Sequence, residues 1–283
     1  MLNLHLSLAH GLLWPTLSGL SAQGWLLVLA ALFVGGLVKG VVSIGVPLVA
    51  IPLLTGLLSV KQVVLLLSLP IILGNIPQAL EGGKTGAALK SIGLLVIGAV
   101  LGIALGVKIL FAIPAHFAVG LAGIILIIAA LALLFAPKFS LPKKSAGLTG
   151  LLAGFVSGLM EGVSAIPGPL LATYLIATGA TGKRFTKEIA LVLVISIAVL
   201  IAVFGQSGHA SRGDLVISAL AALPVIAGIL AGRPLRDALP PKLFRAVVLL
   251  FIIAAAVQML LRAGFLHCLL YTSPSPRDRT RSR

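Results

Sequence analysis

The stretch GGLVKGVVSIGVPL, residues 35–48, sets Lys39 in a run that is otherwise apolar or tiny, with glycines on both sides and a proline just beyond. It lies inside an apolar run over about residues 24–57. As one continuous helix that run would measure about 51 Å, against a hydrocarbon core about 30 Å thick. The segment therefore has to break, and the glycines and proline mark where. A second over-long run, residues 146–178, is interrupted in the same way at SGLMEGVSAIPGPL, residues 157–170.

Six ordinary apolar runs fill most of the remaining chain, at about residues 62–80, 87–111, 116–136, 188–205, 214–232 and 243–262. With 59% hydrophobic and 10% charged residues and a mean hydropathy of +1.21, the chain reads as an integral membrane protein with about eight hydrophobic segments. A formal charge of +15 does not point to nucleic acid, because the basic residues stand singly or in small groups between spans. Cys268 is the only cysteine, and the five histidines are scattered, so neither a disulfide framework nor a metal site is expected.

Shifting the chain by 122 positions lays Gly36 on Gly158, Lys39 on Glu161, Gly40 on Gly162, Pro47 on Pro169 and Lys61 on Lys183. At a shift of 126, Gly102 meets Gly228, Gly106 meets Gly232 and Pro114 meets Pro240. This order of matches predicts two repeats, residues 24–136 and 146–263, joined by a basic linker over 137–145. Residues 1–23 read as an interfacial segment that makes a poor signal peptide, and residues 267–283 as a non-native tail resembling translated adapter sequence.

Counting Lys and Arg outside the tail and Lys39 tests the orientation. Were each long element to cross once, the two sides would carry 7 and 9 basic residues; were each to turn and return, they would carry 4 (Lys61, Lys108, Arg212, Arg262) and 12. The positive-inside rule prefers the second arrangement. A returning element plus three spans crosses an odd number of times, which inverts the second repeat relative to the first. The fold class expected is thus all-α, two inverted repeats, each a broken or re-entrant element followed by three transmembrane helices, with both ends outside. A second full crossing in place of each turn would give the same counts.

Inverted repeats with broken helices are a recurring plan of secondary transporters, whose sites lie where the breaks meet. An ionisable group at that depth costs several kcal/mol unless it meets protein, water or a partner. Lys39, Gly40, Ser43, Gly45 and Pro47 in the first break are candidate substrate-binding residues. Glu161, Gly162, Ser164, Gly168 and Pro169 are their counterparts in the second. Lys39, a restarting helix and the hydroxyl of Ser43 suit a small anion. A protonated Glu161 would not repel that anion and could carry a coupling proton. Two plainer readings compete: Lys39 and Glu161 pair with each other, or the turns lie shallow enough for their charges to reach headgroups.

Asn75 and Gln78 in the second span are either site contacts or helix-to-helix hydrogen bonds. Gly102/Gly106 and Gly228/Gly232 have the spacing of tight helix packing, and Tyr174 suits an interfacial belt. No nucleophile–base pair, HExxH or Walker motif occurs, which argues against an intramembrane hydrolase and against ATP-driven transport. A structural subunit has little use for duplicated charged breaks, and a cation carrier would be expected to show several intramembrane carboxylates. No cofactor is expected. The expected partners are the lipid bilayer, a small anion, a coupling proton and a further copy of the chain.

The two glycine-rich breaks, GGLVKGVVSIGVPL and SGLMEGVSAIPGPL, resemble those of the sulfite exporter TauE/SafE family of membrane permeases, over about residues 24–263. The resemblance implies transport of small sulfur oxyanions or organosulfonates, such as sulfite or sulfoacetate, across a bacterial inner membrane. Lys39 in the first motif and IPGPL in the second, where the first has IGVPL, set the charge balance at the site apart. Transport of another small anion or solute, or a structural membrane role, is the alternative.

Overall fold

A computed structural model describes residues 11–42, 45–81, 85–135, 146–238 and 241–264. Ser43, the 137–145 linker and the 267–283 tail lie outside the described residues. Within them the chain forms α1 (Trp14–Leu17), α2 (Ala22–Val42), α3 (Val46–Leu54), α4 (Val60–Leu80), α5 (Thr85–Ala112) and α6 (Ala115–Phe135). There follow α7 (Ala146–Ser164), α8 (Gly168–Ala177), α9 (Gly182–Gln206), α10 (Arg212–Ala238) and α11 (Pro241–Arg262). Seven of these helices, α2, α4, α5, α6, α7, α9 and α10, are long and apolar enough to cross a membrane. Leucines 26, 101, 148, 223 and 250 stand 57 to 71% exposed, a surface suited to lipid and not to water.

Hydrogen bonds sort the helix ends into two groups. At one end Gln62, at the start of α4, donates from Nε2 to the Leu12 carbonyl (2.8 Å) and to Thr16 Oγ1 (2.6 Å). Asp214, at the start of α10, accepts there from the Leu12 and Leu13 amides at 3.0 and 2.8 Å. The donor Gln62 and the acceptor Asp214 that hold this N-terminal segment belong to capping boxes, Ser59/Gln62 and Ser211/Asp214, so two helix starts are satisfied and tied together at once. Leu13 and Leu17 are fully buried, so this part of the segment is docked into the bundle instead of lying along its surface. At the opposite end Lys187 Nζ reaches the Glu81 carbonyl (2.9 Å) and Ser91 Oγ donates to Glu188 (2.6 Å).

The glycines fix the remaining directions. A Cβ on Gly36 would strike the carbonyl of Val225, and one on Gly40, four residues further on, that of Ile229, so α2 runs parallel to and in contact with α10. A Cβ on Gly154, Gly158 or Gly162 would likewise strike the carbonyls of Leu95, Ala99 or Ile103, so α7 runs parallel to α5. These two pairs are the most extensive helix contacts among the described residues, and each joins a broken helix of one half to a helix of the other. The small-residue spacing expected to mean tight packing does mean that here.

Since α10 starts at the end that holds Leu12, so does α2, and α4 starts there too. The α2–α3 element thus leaves one end and returns to it. The α7–α8 element does the same from the other end. Lys39 lies beside Gly74 and Asn75, fourteen to fifteen residues along the 21-residue α4, which puts the first turn roughly 21 Å deep. Among the described side chains, Lys61, Lys108, Arg212 and Arg262 fall at the Leu12 end, while Lys90, Lys183, Arg184, Lys187 and Arg233 fall at the other.

One backbone repair matters to the core. Pro70 in α4 has no N–H for the Leu66 carbonyl, and Ser218 of α10 fills its place, donating to that carbonyl at 2.9 Å and accepting the Leu69 amide at 3.1 Å.

The sidedness has a direct check. In a Cys268→Ser background, Ser207→Cys is expected to react with an impermeant maleimide on intact cells. Ser140→Cys should react only after the membrane is opened. Labelling of Ser140→Cys from outside would refute the orientation.

Candidate functional site

The two breaks meet. A narrow cleft in the middle of the bundle is lined from the first half by Lys39, Gly45, Val46, Pro47, Leu48, Ile71 and Asn75. The second half supplies Ala165 through Pro169, Leu193 and Ile197. Under the 122-residue offset Ile71 falls on Leu193, Asn75 on Ile197 and Pro47 on Pro169, so equivalent positions face one another across it. About 30 Å³ is open to the centre of a water-sized sphere, room for about two waters or one small ion.

Local backbone chemistry builds the walls. Gly45 holds φ at 140°, where a Cβ would be strained and would also meet Val38, and α3 restarts on it with Pro47 in its first turn. Pro167 caps α8, which has Pro169 in the equivalent place. Proline suits a first turn because its missing N–H would have had no partner there. Ala165 has φ of 54°, the only non-glycine in that region among the described residues, so the second turn stores strain at the cleft. The first turns of α3 and α8 both line the cleft, bringing two sets of unpaired amides and two partial positive charges to it.

Lys39 adds a full charge. It is 4% exposed and donates from Nζ to Asn75 Oδ1 at 2.8 Å, and the Asn75 amide is fixed in turn on the Ile71 carbonyl at 2.7 Å. Gly74 makes room for the lysine stem, since a Cβ there would lie 3.3 Å from Lys39 Cε. Asn75 therefore both lines the cleft and makes an inter-helix bond.

Glu161 sits at the equivalent place in α7 but does not line the cleft. It is wholly buried and makes no ion pair among the described residues, with Oε1 accepting from Ser196 Oγ of α9 at 2.7 Å. The competing reading, in which Lys39 pairs with Glu161, gives way to two separate polar pairs, Lys39–Asn75 in one half and Glu161–Ser196 in the other. Gly40 and Gly162 also lie off the cleft, with backbone contacts to Gly232 and Gly106 that serve packing. Ser164 spends its hydroxyl on the Met160 carbonyl at 2.8 Å. Of the sequence candidates the cleft gathers Lys39, Gly45, Pro47, Asn75, Gly168 and Pro169.

Ser196 and the apolar wall residues Ile71, Leu193 and Ile197 were not foreseen. The offset that aligned the breaks carries Gly74 onto Ser196, and this was the available signal.

A family model described as Sulfite exporter TauE/SafE matches residues 27–259. No curated protein and no solved structure matches the chain.

Proposed function

Because the chain belongs to the TauE/SafE sulfite exporter family, a family of multi-pass membrane permeases, we propose that it carries a small sulfur oxyanion, sulfite before larger organosulfonates, across a bacterial inner membrane. The observation that carries this reading is the cleft itself: one buried ammonium and two helix N-termini converge on a space of about 30 Å³. Lys39 and the amides at the starts of α3 and α8 replace part of the anion's hydration. The apolar wall excludes bulk water. The size of the cleft favours a compact ion over one with an organic tail.

Movement follows from the two breaks. The halves act as inverted repeats, and rocking one broken element against the other opens the cleft to one end and then to the other. Glu161 is the seat of coupling in this reading, and its place behind the cleft wall spares the anion its charge. The alternative, another small anion, shares the same contacts.

Purified protein in liposomes, offered sulfite, sulfoacetate, thiosulfate, sulfate and acetate with and without a proton gradient, tests the substrate. Saturable sulfite uptake at least about tenfold above empty liposomes is expected. Acetate uptake with no response to any sulfur anion would refute the assignment, and the gradient arm asks whether the coupling ion is a proton.

A further inference from the structure

Two buried oxygens around Glu161 lack partners among the described residues. One is Glu161 Oε2 and the other is Ser157 Oγ, one turn earlier on the same face of α7; both residues are 0% exposed. Ser196 Oγ approaches the other carboxylate oxygen at 2.7 Å. Two orphaned oxygens thus stand one helical turn apart on α7, with Ser196 Oγ on the remaining carboxylate oxygen.

The charge around them is also incomplete. Glu161 stands in the last turn of α7, where unpaired carbonyls give the helix end a partial negative charge. In the first half the last turn of α2 carries Lys39, a cation where the helix end favours one. The second half has a carboxyl at the matching position, with no cation paired to it among the described residues. A buried carboxylate at a helix C-terminus is disfavoured twice, by desolvation and by the helix end.

We infer that Glu161, Ser157 and Ser196, with the carbonyl end of α7, bind Na⁺, and that this ion plays in the second half the part that the Lys39 ammonium plays in the first. Carboxylate, hydroxyl and carbonyl oxygens are the hard donors such a cation takes. A proton on Oε2 would cancel the charge and make that atom a donor for Ser157 Oγ, whereas a water would pair both oxygens but leave the charge buried. A metal cation meets both needs through the oxygen donors present, and a response to Na⁺ at fixed pH distinguishes it from a proton. As the coupling ion it rests on the reading of Glu161 given above. As a binding site it stands on the orphaned oxygens alone.

Thermal unfolding of the detergent-solubilised protein, followed by tryptophan fluorescence at fixed pH and with choline replacing Na⁺ at constant ionic strength, tests it. Na⁺ at ten times its Kd should raise the midpoint by about 3–5 °C and saturate, with no matching rise for K⁺. Glu161→Gln should abolish the rise, and Ser157→Ala should weaken the apparent affinity at least about tenfold. Should Glu161→Gln fail to fold, Ser157→Ala and direct ²²Na⁺ binding to the unaltered protein give the answer. Equal midpoints in Na⁺ and choline, an undiminished rise in Glu161→Gln, or stabilisation by acid alone would overturn the site. A parallel titration with sulfite separates the two proposals: loss of the sulfite response with the Na⁺ response intact refutes the substrate, and the reverse refutes the cation site.

Discussion

Gly102→Ala and Gly158→Ala should each lower the melting temperature by about 6–12 °C, corresponding to about 3 kcal/mol. A Cβ at Gly102 would run into the carbonyl of Phe155, and one at Gly158 into the carbonyl of Ala99. The obstacle in both cases is the backbone of the facing helix, which cannot change rotamer. The α5–α7 pair must then separate along its whole length, losing dispersion contacts and the close approach that hold helices together where lipid offers no hydrophobic drive. The same helix supplies the control. Gly93 has nothing within 4 Å of the position its Cβ would take, so Gly93→Ala should be neutral or raise stability by up to about 1 kcal/mol. Equal effects at Gly93 and Gly102 in a thermal-unfolding assay would show that helix propensity, and not the helix contact, governs both.

Lys39→Ala is expected to reduce kcat/KM for the transported anion by about 30- to 150-fold, the equivalent of about 2–3 kcal/mol for one charge-assisted hydrogen bond. The substitution also leaves Asn75 Oδ1 without the donor seen at 2.8 Å, which would cost stability on its own account. Lys39→Gln separates the two effects, because its amide can still donate to Asn75 but carries no charge. It should melt within a few degrees of the unaltered protein and transport as poorly as Lys39→Ala. Liposome flux beside a melting curve decides it, and full transport by Lys39→Gln would return Lys39 to a structural part.

The breaks at residues 35–48 and 157–170 were legible because length and chemistry conflict there: too many apolar residues for one crossing, with glycine, proline and a charge inside. Basic residues gave the direction, since Lys61 and Lys183 follow the same broken elements from opposite ends of the bundle. What the one-dimensional pattern could not resolve was which side of a broken helix each residue faces. Gly40 and Lys39 are neighbours in sequence, yet the lysine points to the cleft and the glycine packs on α10. Glu161 and Gly162 also part, the carboxyl turning to Ser196 of α9 and the glycine packing on α5. A helix turns about 100° per residue, so a motif names a stretch and only tertiary packing assigns its faces. Partners on other helices, such as Ser196 for Glu161 and Ser218 for the Pro70 gap, have no local signature.

The clamp on residues 12 and 13 bears on how the protein is made. The Leu13 amide and Asp214 Oδ1, 2.8 Å apart in the finished bundle, are separated by 201 residues of chain. At about 5–20 residues per second, a ribosome needs roughly 10–40 s between synthesising one and the other. Through that interval the first half has neither its N-terminal acceptor nor the α10 surface against which Gly36 and Gly40 pack. Early helices must therefore wait in the insertion machinery or in lipid as a loose set. The order of synthesis makes α10 the piece whose arrival closes the structure, and truncation before it should leave a nascent chain open to membrane quality-control proteases.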